Sequence, residues 1–326
     1  MQAIVFTEYG SPDVLQLKTV AQPVPKANEV LVKVRAAAAN PLDWHIMRGA
    51  PIIARIEFGL QRPKKTNRLG ADVAGDVVAI GADVTQFKVG DAVFGSTELT
   101  GLGAFAEYAI VSETTLEHKP DNISYSESAA IPEVGFTALQ GLRDAGNIQA
   151  GQSVLINGAS GGVGSCAVQL AKYFGTTVTG VCSTRNVDLV RSLGADHVID
   201  YTKADFTQLG QQYDLIYDAV GNLSTADLSR TLTADGVAAI AGFTTMSGLF
   251  NIIVVGGLTS AFSSKSIGMM NTAKPNKSDL TFLKTLLATG QLQAVIDRSY
   301  PLAETSEAIR YLETGRARGK VVITVG

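Results

Sequence analysis

Cysteine, histidine and tryptophan are scarce in this 326-residue chain, which has two, three and one of them. Cys166 and Cys182 alone make no disulfide framework, so a reducing compartment is expected, the cytoplasm being the simplest. His45, His118 and His197 are scattered and read as surface or packing residues, not as ligands grouped around a metal. Charge is sparse too, at 17% of residues with a formal net charge of −3. The lack of a basic field argues against nucleic acid as a partner. The opening MQAIVFTEYG has no basic segment leading into an apolar core, so no signal peptide is predicted. One stretch, 243–264, carries no charge at all. Gly248, Asn251, Gly256, Gly257 and several hydroxyls make it a poor membrane span. Two readings stay open for it: buried packing, or an exposed apolar surface for a subunit partner or a substrate pocket.

Aliphatic residues and glycine are plentiful. Hydrophobic residues make up 46%, ample for folded cores, and the length suits two domains. Gly158, Gly161, Gly162 and Gly164 follow the apolar run Val154, Leu155, Ile156. After them Val163, Ala167, Leu170, Ala171 and Phe174 recur at helical spacing, with Gly175 as a C-terminal stop. Strand, glycine turn and helix bring backbone N–H groups and a helix N-terminus up to a phosphate, and a Cβ in the turn would block that approach. A Walker-type loop would end in Gly-Lys-Ser/Thr, whereas Gly164 is followed by Ser165 and Cys166. The other alternative is a glycine-rich packing turn. A second strand, 177–182, favours the nucleotide reading, because it ends in Ser183-Thr184-Arg185-Asn186 where a dinucleotide fold places its ribose reader. An NAD site would place Asp or Glu there. Small hydroxyls and an arginine suit a 2′-phosphate instead, so NADP(H) is the expected cofactor. Arg185 as an ordinary solvated loop charge is the competing reading.

Residues 1–123 read as mostly β, with short strands at 3–6, 15–20, 30–38, 74–80, 92–94 and 105–111 between Gly, Pro, Asn and Asp turns. That pattern predicts a partly open barrel. The stretch 52–68, rich in Arg and Lys, reads as a surface or cleft loop. From Ser124 the pattern changes to alternating helices and strands, with strands at 197–200, 214–218, 237–241 and 266–270. This predicts an α/β fold with a doubly wound parallel sheet. The last strand, 320–325, is expected to rejoin the β-rich part, so that 124–272 is inserted between 1–123 and 273–326.

GADVAGDVVAIGADVTQFKVGDAVFG, NGASGGVGSCAVQLAK, GADHVIDY and RGKVVITV occur in order along nearly the whole chain. Together they resemble the medium-chain dehydrogenase/reductase superfamily, and within it the zinc-independent quinone oxidoreductases, which include NADPH-dependent quinone and 2-alkenal reductases. The resemblance implies a GroES-like, barrel-like catalytic domain, a Rossmann domain and commonly a homodimer. Zinc alcohol dehydrogenases of the superfamily carry a ligand Cys where this chain has Asn40, and a Gly-His-Glu motif that matches Gly70-Ala71-Asp72. Their four-cysteine lobe has no counterpart in a chain with two cysteines. No metal is therefore expected.

Without a Lewis acid, oxidising an unactivated alcohol is difficult, whereas a quinone or α,β-unsaturated carbonyl accepts hydride at carbon and moves charge onto oxygen. The expected reaction is hydride transfer from NADPH to such an acceptor. Reduction of aldehydes or ketones, or a non-catalytic NADPH-binding redox-sensing module, are the alternatives. Asn40 is the candidate for orienting the reacting groups, with Asp43 and Arg48 in support; as a residue before Pro41 it also reads as a turn former. By motif position the resemblance gives Ser160, Gly161, Gly162 and Val163 to the pyrophosphate. It gives Ser183, Thr184, Arg185 and Tyr201 to the 2′-phosphate, and Thr137 to the nicotinamide ribose. Val220, Gly242 and Phe243 would border the nicotinamide, and Arg318 is a further candidate.

Overall fold

Apolar strands punctuated by glycine turns build two units in the computed structural model, which describes residues 1–50, 55, 59–63 and 67–326. The first unit comprises Met1–Glu133 and Pro275–Gly326, the second Val134–Lys274. The predicted loop 52–68 lies largely outside the described residues.

The first unit is organised on β3 (Glu29–Ala39), buried at almost every position by its valines and alanines. Burial of both its faces and both its edges suits such small and β-branched side chains. It pairs antiparallel with β4 (Asp72–Ile80), β6 (Tyr108–Ser112) and the last strand, β15 (Lys320–Thr324). The sheet continues through β5 (Ala92–Ser96) to β7 (Leu116–His118) at one end, and to β14 (Ile296–Pro301) at the other. A separate pair, β1 (Gln2–Val5) and β2 (Gln16–Thr19), completes the strands here. The terminal strand thus returns to the N-terminal part of the chain, and the second unit is inserted between.

Two helices differ from expectation. The helix Pro41–Arg48 replaces a simple turn after Asn40, started by Pro41 at its first position and closed by Gly49 in the left-handed region at φ 58°. The helix Tyr125–Ala129, expected to open the nucleotide domain, packs on β3, β4 and β15 of the first unit. Its buried Ser128 and Ala129 face that sheet, and the change of pattern at Ser124 therefore precedes the change of unit.

The second unit carries a six-stranded parallel sheet. Its strands are β8 (Ser153–Asn157), β9 (Thr177–Cys182), β10 (His197–Asp200), β11 (Tyr213–Asp218), β12 (Leu232–Ile240) and β13 (Ser266–Met269). Their order is β10-β9-β8-β11-β12-β13, so the winding reverses between β8 and β11. Ligands of open parallel sheets lie beyond the carboxyl ends of the strands at such a reversal. The uncharged stretch forms helical turns from Met246 to Phe262. Its inner side, with Ile252 and Gly256, is buried, while Met246, Phe250, Ile253, Leu258 and Phe262 are exposed, Phe262 by 87%. The stretch is thus buried on one side and apolar and exposed on the other. Among the described residues no helix is long and apolar enough to cross a membrane.

Candidate active site and cofactor loops

In the second unit β8 runs into the glycine turn and then the helix Gly162–Tyr173. Gly158 sits at φ +82°, a conformation open to glycine. A Cβ on Gly164 would lie 2.0 Å from the Gly158 carbonyl oxygen, so the helix reaches the turn only without a side chain there. Gly161, at the N-cap of the helix, has ordinary extended angles and no side chain caps it. A Cβ on it would meet nothing closer than Gly158 O at 3.5 Å. The turn therefore closes tightly inward at Gly164 and stays open at Gly161. This is the cradle a pyrophosphate needs, with the positive end of the helix beside it.

β9 ends at Cys182, directly before Ser183, and β10 ends beside it in register, Asp200 opposite Cys182. The backbone N–H of Tyr201 donates to Cys182 O at 3.0 Å, and the Tyr201 ring is exposed. Ser183, Arg185 and Tyr201 thus share one end of two neighbouring strands. Thr184 is committed otherwise: its hydroxyl donates to Asp200 Oδ2 at 2.6 Å and lies 2.9 Å from the Thr202 hydroxyl. That hydrogen bond, first of all, holds the Asp200 carboxyl down to about 2. Thr184 therefore serves the carboxylate, which leaves Ser183 and Arg185 as the candidate phosphate donors on this end.

Across the winding reversal, Asn157 and Asp218 close adjacent strands in register. Asp218 Oδ1 accepts from Asn157 Nδ2 at 2.8 Å, Val220 N at 3.0 Å and Gly221 N at 2.9 Å. One carboxylate oxygen so shapes the turn that carries Val220. Gly221, at φ +70°, packs so closely that a Cβ would sit 1.9 Å from Gly242 O, and Thr244 N donates back to Gly221 O. Val220, Gly242 and Phe243 are brought together by this contact. Thr137 lies in the helix Pro132–Gln140, and its carbonyl accepts from the Tyr217 hydroxyl at 3.0 Å.

The first unit holds a buried polar cluster that sequence reasoning only half found. Asn40 Nδ2 donates to Asp72 Oδ2 at 2.9 Å and to Ala38 O at 3.3 Å. Lys320 Nζ donates to Asn40 Oδ1 at 2.5 Å, Asp72 Oδ2 at 3.0 Å and Ala39 O at 3.2 Å. The other Asp72 oxygen accepts from Glu133 N at 2.8 Å. Asp43 accepts from Asn40 N at 2.8 Å and from Gly70 N at 2.7 Å. Burial pushes the Asp43 carboxyl up to about 7 against those two hydrogen bonds. Glu98 is also pushed up to about 7, by burial and then by the negative charges of Asp72 and Asp43. Burial raises Glu133 as well, helped by Glu98 and Asp72. Several carboxyls thus gather around one buried ammonium.

This geometry changes what Asn40, Asp43 and Arg48 offer. Both ends of the Asn40 amide and both oxygens of Asp43 are engaged within the protein. Arg48 turns to the surface, where it pairs with Glu313 through Nε at 2.5 Å and an Nη at 2.9 Å. Asn40 and Asp43 belong to one network; Arg48 belongs to another. Arg318 is exposed on the turn entering β15, its backbone N–H donating to Asp297. Lys320, Glu98 and Glu133 were missed, and the visible signal was a lysine opening the otherwise apolar strand 320–325. Among the described residues no three His, Cys, Asp or Glu side chains are grouped to hold a metal ion.

Two family descriptions match the chain: an alcohol dehydrogenase GroES-like domain over residues 26–121, and a zinc-binding dehydrogenase over residues 193–323. A 2-methylene-furan-3-one reductase of Solanum lycopersicum is 37% identical over 99% of this chain and 79% of its own length. A chloroplastic NADPH-dependent alkenal/one oxidoreductase of Arabidopsis thaliana is 35% identical with the same coverage. The structure of the quinone oxidoreductase from Coxiella burnetii superposes with a TM-score of 0.86 at 31% identity, covering 100% of this chain and 99% of that one. Fold, loops and relatives agree: the chain belongs to the medium-chain dehydrogenase/reductase superfamily, with the quinone and alkenal/one oxidoreductases.

Proposed function

We propose that this chain is an oxidoreductase that transfers hydride from NADPH to a quinone or an α,β-unsaturated carbonyl. The observation that carries the reading is the glycine turn, closed at Gly164 and open at Gly161, followed one strand later by Ser183 and Arg185 with no carboxylate at the ribose-reading position. Relatives named for NADPH-dependent alkenal/one reduction and for 2-methylene-furan-3-one reduction support it.

When bound, NADPH supplies a hydride from its reduced nicotinamide. Ser160, Gly161, Gly162 and Val163 would hold the pyrophosphate, and Ser183, Arg185 and Tyr201 the 2′-phosphate. Thr137, Val220, Gly242 and Phe243 would orient the nicotinamide end. Hydride arriving at carbon drives charge onto the acceptor oxygen, so the site must position flat rings and exclude water. Asn40 and Asp43 contribute as supports, because their polar atoms already serve Lys320, Asp72 and Gly70.

The reaction is proposed to need no zinc. Asn40 and Ala71 stand where the superfamily's metalloenzymes carry ligands, and the Lys320 ammonium already lies between Asn40 and Asp72. A divalent ion placed there would have to displace that cation. A homodimer is proposed on the exposed apolar side of 246–262, and a reducing compartment such as the cytoplasm on two buried free thiols.

Steady-state oxidation of NADPH and NADH with quinones, 2-alkenals and saturated aldehydes tests the reading. Turnover of quinones or 2-alkenals, with NADPH preferred, is expected. Turnover of saturated aldehydes alone would replace it with carbonyl reduction. Tight NADPH binding with no oxidation by any acceptor would leave a nucleotide-binding module.

A further inference from the structure

Asn186 connects the two loops that would hold the phosphates. It stands where the turn Thr184–Asn186 meets the helix Val187–Ser192 and is 5% exposed. Its backbone N–H donates to Ser183 O at 2.9 Å. Its side-chain Nδ2 donates to Ser160 Oγ at 2.8 Å and reaches Ser183 Oγ at 3.4 Å. Ser160 belongs to the turn after β8 and Ser183 to the end of β9, so one amide bridges the ends of two adjacent strands.

A serine hydroxyl has one proton and two lone pairs. When its oxygen accepts from an amide N–H, its own proton points elsewhere. Neither Ser160 Oγ nor Ser183 Oγ donates to any other described residue. The remaining atom of the amide adds a second observation: Asn186 Oδ1 is buried with no hydrogen-bond partner among the described residues. With no donor at Oδ1, the amide meets the two serines through Nδ2 alone.

We propose that Asn186 is a positioning residue for the dinucleotide: by donating to Ser160 and Ser183 it leaves both hydroxyl protons for phosphate oxygens, the pyrophosphate at Ser160 and the 2′-phosphate at Ser183. The inference rests on the NADPH reading above. Aspartate at this position can only accept, so both hydroxyls would turn their protons onto it, and its charge would oppose the phosphates.

The test is fluorescence titration of the full chain with NADPH and NADH, together with steady-state kinetics. Asn186→Asp is expected to weaken NADPH binding about 10- to 100-fold, the range of one or two hydrogen bonds to a charged group. NADH, which lacks the 2′-phosphate, should lose less. The KM for NADPH should rise with kcat at saturating coenzyme unchanged, a split that loss of folded protein would not produce. Asn186→Ala combined with Ser160→Ala should bind NADH no worse than Ser160→Ala alone. Additive losses in that pair, or NADPH affinity unchanged in Asn186→Asp, would overturn the proposal. Should the Asn186 variants not fold, Ser160→Ala and Ser183→Ala decide it: full NADPH affinity in both overturns it, and a loss in both supports it. An unaltered chain that fails to bind NADPH would overturn the cofactor reading and this inference with it.

Discussion

Replacing Lys320 by Met keeps the length and apolar stem of the side chain and deletes its charge. What remains is Asp72, with no solvent exposure, losing an ammonium at 3.0 Å, and Asn40 losing its donor at 2.5 Å. Removing one partner of a buried ion pair costs about 3–5 kcal/mol, because the other charge is left uncompensated. The same unit supplies a contrast in Arg48 and Glu313, an exposed pair whose loss should cost no more than about 1 kcal/mol. Trp44 is the only tryptophan of the chain and lies in the helix that begins just after Asn40. Its fluorescence therefore follows unfolding of the first unit in a urea titration. Lys320→Met should lower the stability of that unit by about 3–5 kcal/mol and Arg48→Ala by about 1 kcal/mol or less. Combined with Asp72→Asn, the Lys320 effect should be non-additive by about 1–3 kcal/mol, since the two groups share one network. A loss for Lys320→Met as small as that for Arg48→Ala, or strict additivity with Asp72→Asn, would refute the view that this ammonium holds the cluster together.

The glycine turn makes a sharper test of binding without loss of fold. Gly161→Ala meets only Gly158 O at 3.5 Å, so thermal stability should stay within about 0.5 kcal/mol of the original while NADPH affinity falls at least about 10-fold, and equal affinity would remove Gly161 from the pyrophosphate site. Arg185→Asp should weaken NADPH much more than NADH in the same titration; equal losses would reject its pairing with the 2′-phosphate. Glu98 gives a pH signature. Its carboxyl is raised from about 4.5 to about 7 in the folded chain, so folding holds a proton the unfolded chain releases. The associated stability is complete below the ordinary carboxylate range and is lost as pH rises from about 4.5 through 7. Glu98→Gln should flatten this fall and compare best with the original above pH 7, measured by urea unfolding at pH 5, 6, 7 and 8. Identical slopes would show that Glu98 does not titrate in that window.

Local chemistry made the second unit legible. A turn that requires φ +82° at Gly158 and no Cβ at Gly164 writes glycine into the chain, and parallel strands buried on both faces write short aliphatic runs. The first unit was legible as strands and turns, but its polar cluster was not. Residues 40, 72, 98, 133 and 320 meet only after β15 pairs with β3 and β3 with β4, contacts that no local window contains. The polar strand β14, exposed along much of its length, gives no apolar period to read either. Several of the cluster and turn residues nonetheless share a mark. Lys320 opens an apolar strand, Asn157 and Asp218 close two of them, and Asp72 begins β4. A strand interior tolerates a buried polar group only when partners meet it, so a polar residue ending an apolar run implies a network at that end of the sheet. The aliphatic positions then account for the sheets, and the polar residues at their ends for the hydrogen-bond networks on which the proposed site rests.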